Sequence, residues 1–182
     1  MKKVEPSESN PILFYQISKD YLRAFDIIWQ AEFADKHWFY WDKFLIISPV
    51  AHLMGVSLET AIKGRLACCG PFPKVHDLVE LLNLLQDESL ENECKEAFLA
   101  LDRAQIIFNM ADPNPDPDAL EKAYRSHLYH VRTLNALYGK PYATRYPVIG
   151  VHSSPNLQAI REIILILHRK LETESRRWCP HP

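Results

Sequence analysis

Apolar residues recur at intervals of three and four along most of the chain, which is the spacing of an amphipathic α-helix. Alternating patterns typical of strands are scarce, and only five glycines interrupt the 182 residues. The pattern therefore predicts an all-α fold, with one bundle of five or six helices over residues 11–175. Residues 1–10 are predicted to be a flexible N-terminus, and residues 176–182 a frayed C-terminal tail.

The first two helices are marked by prolines. Pro11 suits a first helical turn, so a helix is predicted from there to about residue 35. Ser48 and Pro49 predict the cap and first residue of a second helix that ends near residue 70. Alternatively, this helix begins near Trp41 and Pro49 kinks it. The aromatic residues at 38–41 and 44 suit core packing, or the stacking of nucleic-acid bases.

The next two predicted helices are the third, which is rich in leucine, and the fourth, which contains two phenylalanines. The third carries apolar residues at i, i+3, i+4 and i+7, namely Leu78, Leu81, Leu82 and Leu85. The fourth is predicted over residues 90–109, with three residues facing inward, namely Phe98, Leu101 and Phe108. Alternating prolines then forbid a helix over residues 112–118, so this segment is predicted to be a loop whose Asp116 or Asp118 caps the fifth helix.

The last two helices come after this loop. The fifth helix is predicted over residues 118–138 and ends at Gly139. A polar connector covers residues 142–154, and Ser154 with Pro155 predicts the start of the final helix. Its apolar stripe runs from Leu157 to Leu171 and is widened by two isoleucines at 163 and 166. A stripe this wide suggests burial on two sides, against a core and against a homodimer partner.

Composition and charge limit the classes of function. Hydrophobic residues make up 47% of the chain and charged residues 24%, as in an ordinary globular protein. The formal net charge of −2 lacks the basic surplus of a non-specific nucleic-acid binder. No signal peptide is predicted, and the apolar runs at 44–47 and 163–167 are too short for a membrane span, so a cytoplasmic protein without membrane contact is predicted. The four cysteines show no CxxC pair and are predicted to be reduced.

Three short segments, taken in order, resemble those of the HEPN (higher eukaryotes and prokaryotes nucleotide-binding) domain family. They are His52-Leu53 with Leu58-Glu59-Thr60-Ala61-Ile62-Lys63, then Lys74-Val75-His76-Asp77-Leu78-Val79-Glu80-Leu81-Leu82, and finally Tyr142-Ala143-Thr144-Arg145-Tyr146-Pro147. The resemblance covers about residues 40–175. It implies an up-and-down helical bundle, often dimeric. Many members are metal-independent ribonucleases of toxin–antitoxin or phage-defence systems, others act as binding modules, and some pair with a nucleotidyltransferase.

Catalytic members of this family carry an arginine followed, after four to six residues, by a histidine, and Arg125 with His130 fits that spacing. Histidine can move the proton of a 2′-hydroxyl group, and arginine can hold a phosphate while charge develops on it. The pair suggests a metal-independent endoribonuclease. The alternative is a solvated arginine and a half-buried histidine, because residues five apart on a helix point about 140° apart.

Other polar residues have structural and functional interpretations. Asp77 suits a helix N-terminus, where His76 would bond nearby backbone; a binding role for both is the alternative. Arg145, beside Tyr146, binds a phosphate or pairs with Glu59 or Glu80. Glu59 and Lys63 have the spacing of an ion pair along a helix.

His127 and His130 have a spacing that can hold a metal with Asp118 or Glu121, but no second ligand cluster supports a metal site, and no cofactor is predicted.

The hypothesis is therefore a HEPN-like binding module for a nucleotide, RNA or protein, in a bacterial stress, defence or toxin–antitoxin setting. Two alternatives remain: the ribonuclease that uses Arg125 and His130, and a structural subunit of a larger assembly. Whether the protein is an enzyme stays open at this point.

Overall fold

The computed structural model describes residues 10–32, 44–101, 118, 122–123, 125–139 and 156–178. Its regular elements in these ranges are six α-helices: α1 Pro11–Glu32, α2 Phe44–Cys69, α3 Leu78–Leu85, α4 Glu88–Leu99, α5 His127–Tyr138 and α6 Leu157–Trp178. The all-α helical bundle predicted from the sequence is therefore confirmed. The aromatic residues at 38–41, the proline-containing loop at 112–117 and the connector at 142–154 lie outside the described residues.

Helix α2 is the central element and packs against α1, α3, α5 and α6, while α4 packs against α6 and α5. Apolar residues of α2 face its neighbours all round the helix, including Val50, Met54, Leu58 and Ile62, which are fully buried. The inward side of α6 supplies the other half of the core. Its stripe is fully buried in the monomer at five positions, namely Ile160, Ile163, Ile164, Ile166 and Leu167.

Helix α2 begins at Phe44, so the predicted cap at Ser48 is wrong and Pro49 lies inside the helix. The alternative start near Trp41 is closer to what is observed. A proline at this position removes only the hydrogen bond that an amide at 49 would donate to the carbonyl of residue 45. Pro49 is exposed, and the long apolar contact of the following residues outweighs that single lost bond near the helix start.

Asparagine caps begin both long outer helices. The Asn10 side chain accepts hydrogen bonds from the amides of Ile12 and Leu13, at 3.0 and 3.2 Å, so the predicted start at Pro11 is confirmed. Asn156 accepts a bond from the amide of Ala159 at 3.0 Å and starts α6 just after the predicted position. The helix then continues to Trp178, into the segment predicted as a tail.

Two predicted helices are shorter than expected. Helix α4 ends at Leu99, because the amide of Ala100 bonds to the carbonyl of Ala97 and tightens the last turn. The predicted fifth helix is interrupted: Ser126 is extended, with φ −90° and ψ 116°, and α5 begins only at His127. Serine favours such a boundary over a helix interior. Gly139 ends α5 as predicted.

Candidate functional site

Two of the three segments that resemble the HEPN family meet around the carboxylate of Glu59. One oxygen, Oε1, accepts hydrogen bonds from Lys63 Nζ at 2.6 Å and from His76 Nδ1 at 2.9 Å. The other, Oε2, accepts a bond from the Tyr138 hydroxyl at 2.5 Å. We call these four residues the Glu59 cluster. It joins α2 to the segment before α3 and to the end of α5, and the predicted Glu59–Lys63 pair is confirmed.

A glycine on α2 makes the approach of Tyr138 possible. A methyl group on Gly55 would overlap the ring of Tyr138, so the ring can lie on α2 only because residue 55 has no side chain. The hydroxyl then reaches Glu59 one helical turn further along. The centre of the His52 ring lies 5.5 Å from the centre of the Tyr138 ring. Close packing of α5 on α2 therefore positions a phenol beside the carboxylate.

Asp77 caps α3, as its sequence context predicts, and also ties α3 to α5. Its Oδ1 accepts from the amides of Val79 and Glu80, both at 2.9 Å. Its Oδ2 accepts from the side-chain amide of Asn135 at 2.8 Å, and the carbonyl oxygen of that side chain accepts from the amide of Leu78 at 2.9 Å. His76 does not follow the prediction of a backbone bond, since its ring turns instead to Glu59.

These contacts change the acidity of the groups involved. Burial raises the pKa of the Tyr138 hydroxyl, and the neighbouring Glu59 carboxylate raises it further, so Tyr138 stays protonated and donates. The hydrogen bond from the amide of Glu80 lowers the pKa of Asp77, with smaller contributions from Asn135 and Val79. Asp77 is therefore ionised at neutral pH, and its cap weakens only in acid.

The residues of the Arg–His motif are separated by the start of α5. Arg125 is exposed on the turn before Ser126, whereas His130 is only 1% exposed and lies inside the bundle. The ring of His130 meets the rings of Phe98 and Tyr129 edge to face, at 5.2 and 5.4 Å. The two side chains thus occupy different environments, one at the surface and one among aromatic rings.

His127 faces α4 and is half-buried. Burial lowers the pKa of its ring, and Lys95 adds to that effect while Glu91 opposes it. No group of three His, Cys, Asp or Glu side chains within the described ranges is arranged to hold a metal ion. Asp118 is described as a helical residue, whereas Glu121 is among the residues without a described position.

Arg145 and Tyr146 also lie outside the described residues, so their predicted binding role stays a prediction. Both oxygens of Glu59, a predicted partner of Arg145, already accept hydrogen bonds from the cluster. The cysteines within the described ranges, at 68, 69 and 94, are free thiols. Burial raises the pKa of Cys68 and Cys94 to about 12, which leaves both as unreactive thiols.

Sequence reasoning missed a second polar set, inside the bundle. Ser18 of α1, Ser57 of α2 and His168 of α6 are at most 6% exposed and bond to one another. The Ser18 hydroxyl lies 2.7 Å from the Ser57 carbonyl and 2.7 Å from His168 Nε2, and the Ser57 hydroxyl donates to the Ser18 carbonyl at 2.8 Å. These contacts are mutually consistent when Nε2–H of His168 donates to the Ser18 hydroxyl, which in turn donates to the Ser57 carbonyl. We call these three residues the serine–histidine node.

The node is electrically neutral. Burial lowers the pKa of His168 to about 4, with a further contribution from Lys19 and an opposing one from Glu172. Tyr15 packs its ring against His168 and hydrogen-bonds to Glu172. The only sequence signal for the node was a histidine within the apolar stripe of α6, which a core position explains equally well.

Comparison of the chain with protein-family models, curated proteins and solved structures gives no match. None of the helices in the described ranges combines the length and the apolar character that crossing a bilayer requires.

Proposed function

We propose that this chain is a HEPN-like interaction module that binds a partner protein, works as a homodimer and belongs to a bacterial stress, defence or toxin–antitoxin system. The observation that carries the proposal is the contrast between two histidines. His130, the histidine of the catalytic motif, is buried, whereas His76 is 81% exposed and held beside Glu59. The first alternative, an endoribonuclease, requires an imidazole within hydrogen-bond reach of a 2′-hydroxyl group. The burial of His130 speaks against it.

Charge favours a protein over a nucleic acid as the partner. Phosphate contacts depend on lysine and arginine side chains. Two cations of α2 are engaged with carboxylates: Lys63 with Glu59, and Arg65 with Asp87 and Glu174. The segment around His76 presents two exposed carboxylates, Asp77 and Glu80, and one exposed lysine, Lys74. A protein surface with basic side chains complements this arrangement better than a phosphate backbone does. A nucleotidyltransferase is the partner class that the family resemblance implies.

The catalytic alternative is tested with two exposed arginines. Wild type, Arg125→Ala and the matched control Arg132→Ala are expressed from an inducible promoter, and growth and total RNA integrity are followed. We expect the three strains to be indistinguishable. The ribonuclease would be favoured over the binding module by a different result. In that case wild type and Arg132→Ala would degrade RNA and arrest growth, and Arg125→Ala would do neither.

The partner class is tested by site-specific photo-crosslinking in the native host. A photoreactive amino acid replaces Glu80 near the Glu59 cluster, or Lys95 on α4 as an exposed control. We expect a protein adduct from position 80 that position 95 does not give. In parallel, the isotopically labelled protein is titrated with a nucleotide mixture and a short RNA. NMR shifts confined to residues around His76 would favour a nucleotide or RNA ligand instead.

A further inference from the structure

The imidazole of His76 is held at one nitrogen and open at the other. Its Nδ1 lies 2.9 Å from Glu59 Oε1, while the side chain as a whole is 81% exposed. In the neutral ring the proton sits on Nδ1, because a carboxylate can only accept. The lone pair is then on Nε2 and points away from Glu59. This combination of a fixed tautomer and an accessible nitrogen is what a nucleophilic histidine needs.

The carboxylate that orients His76 is itself held in place. Glu59 is only 8% exposed, and it bonds to Lys63 on its own helix and to Tyr138 of α5. Asp77, the next residue after His76, is fixed by its bonds to α3 and to Asn135. The ring is therefore restrained both at its backbone and at Nδ1. An acyl-imidazolium formed on Nε2 would be stabilised by the fixed negative charge of Glu59.

His52 provides a comparison within the same molecule. It is also exposed and lies on α2, where its ring packs against the ring of Tyr138. In the part of the chain that the structure describes, no carboxylate hydrogen-bonds to the His52 ring. The two imidazoles thus share exposure but differ in the orienting carboxylate, so any difference in their reactivity reports on Glu59.

The charges near His76 restrict the electrophile. Three carboxylates lie near His76. Glu59 is bonded to its ring, Asp77 is the next residue, and Glu80 lies in the first turn of α3. These three carboxylates outnumber the two lysines of the same region, Lys63 and Lys74, so the local charge disfavours an incoming phosphate anion but not an uncharged carbonyl compound. The high exposure of the ring also admits a substrate carried on a large molecule. An acyl group is therefore the better match to this site.

We propose that Nε2 of His76 is a nucleophile for activated acyl groups, esters or thioesters, and that Glu59 is its positioning residue. The Nε2 lone pair forms a bond to the carbonyl carbon, and the bond to the leaving alkoxide or thiolate breaks. Water then adds to the acyl carbon and gives one proton to solvent, the carbon–nitrogen bond breaks, and a carboxylic acid leaves. The released alkoxide or thiolate takes up a proton from solvent. The neutral ring returns with its proton on Nδ1. This activity is independent of the proposed partner binding.

The test uses 4-nitrophenyl acetate as the probe and the purified full-length protein near neutral pH. Release of nitrophenolate is followed by absorbance, and acetylated residues are located by peptide mass mapping. We expect His76 to acetylate faster than His52 by about tenfold, the effect of one hydrogen bond to a charged group at the lower end of its usual strength. His76→Gln should lose most of the protein-dependent release, and His52→Gln should retain it.

Glu59→Gln separates positioning from mere structural support. The variant keeps the shape of the side chain, and circular dichroism verifies its fold. We expect the ratio of acetylation at His76 to that at His52 to fall towards one, while acetylation of His52 itself is unchanged. Equal acetylation of both histidines in wild type, or label found only on lysines, would overturn the proposal. Neither outcome bears on the crosslinking result, because no partner is present.

Discussion

Helix α2 buries two polar residues on opposite sides, and the bundle accommodates them in opposite ways. Ser57 and Glu59 are two positions apart, so they point about 200° apart around the helix. Ser57 faces α1 and α6, where the serine–histidine node is neutral and closed. Glu59 faces α3 and α5, where the cluster contains an ionised carboxylate and ends in an exposed imidazole. The comparison shows that a histidine in the interior of the bundle is kept neutral, as in the node. At the edge of the bundle a charged side chain is tolerated when it is paired, as in the Glu59 cluster.

The largest effect is expected from removing the charge at the edge. Glu59→Ala leaves Lys63 and Tyr138 without their acceptor, and such a loss from a largely buried pair costs about 4 kcal/mol. Urea unfolding followed by circular dichroism measures the change. The control is Glu91→Ala, which removes an exposed partner of Lys95 on α4 and should leave the unfolding curve unchanged. Equal stability of the two variants would show that the Glu59 cluster does not hold α5 in place.

The serine–histidine node should make the free energy of unfolding depend on pH. Since the pKa of His168 is about 4 in the folded protein and near 6.5 when unfolded, only the unfolded chain takes up this proton between those values. The contribution of neutral His168 to the free energy of unfolding is therefore fully present above pH 6.5. It is lost, by about 3 kcal/mol, as the pH falls to 4. Urea unfolding across this range should show a steeper loss for wild type than for His168→Gln. Parallel curves would mean that His168 is not kept neutral by the fold.

The contact between α2 and α5 can be broken without touching a charge. Gly55→Ala forces the ring of Tyr138 away and should cost about 2 kcal/mol from overpacking, despite the better helix propensity of alanine. Gly64→Ala is the control, since its new methyl group would meet the flexible end of Leu171 at 3.2 Å and Phe14 Cβ at 3.4 Å, without overlapping a ring. Thermal unfolding should separate the two variants. In the background of Tyr138→Ala, the Gly55 substitution should lose most of its effect.

The smallest effect is expected at the cap of α3. Asp77→Ala should cost about 1 kcal/mol, because the amides of Val79 and Glu80 lose their acceptor. Asp77→Asn retains an acceptor and should remain close to wild type in urea unfolding at neutral pH. Since the pKa of Asp77 is lowered in the folded protein, its contribution is present at neutral pH and lost as the pH falls below about 3.8. In acid, wild type should therefore lose stability relative to Asp77→Asn, whose amide does not titrate, while Asp77→Ala stays less stable than Asp77→Asn at both pH values.

The fold was predictable where local chemistry decides it. Pro11, the cap at Asp77 and the glycine at 139 each mark a helix end through their own backbone or side-chain preference, and all three were correct. Pro49 misled because a proline in an early turn can begin a helix or be carried inside it. Only the tertiary contacts of α2 decide between the two. The break at Ser126 was missed for a related reason, since the apolar spacing continues across it.

The candidate site was predictable in part. The spacing of Glu59 and Lys63 predicts their pair, but nothing local indicates that His76 and Tyr138 reach the same carboxylate. Those contacts join residues 17 and 79 positions apart, and they depend on how α5 packs against α2. The serine–histidine node is harder still, because Ser18, Ser57 and His168 come from three helices. Each of these residues looks ordinary in its own segment.

The missing side chain at Gly55 also constrains how this sequence can diverge. The space above residue 55 is filled by the ring of residue 138, so the volumes of the two positions are complementary. A descendant that acquires a larger residue at 55 must shrink the residue at 138, and with it lose the hydroxyl that reaches Glu59. Positions 55, 59 and 138 should therefore change together or not at all. In a set of diverged sequences, that linked variation would mark which descendants keep the cluster.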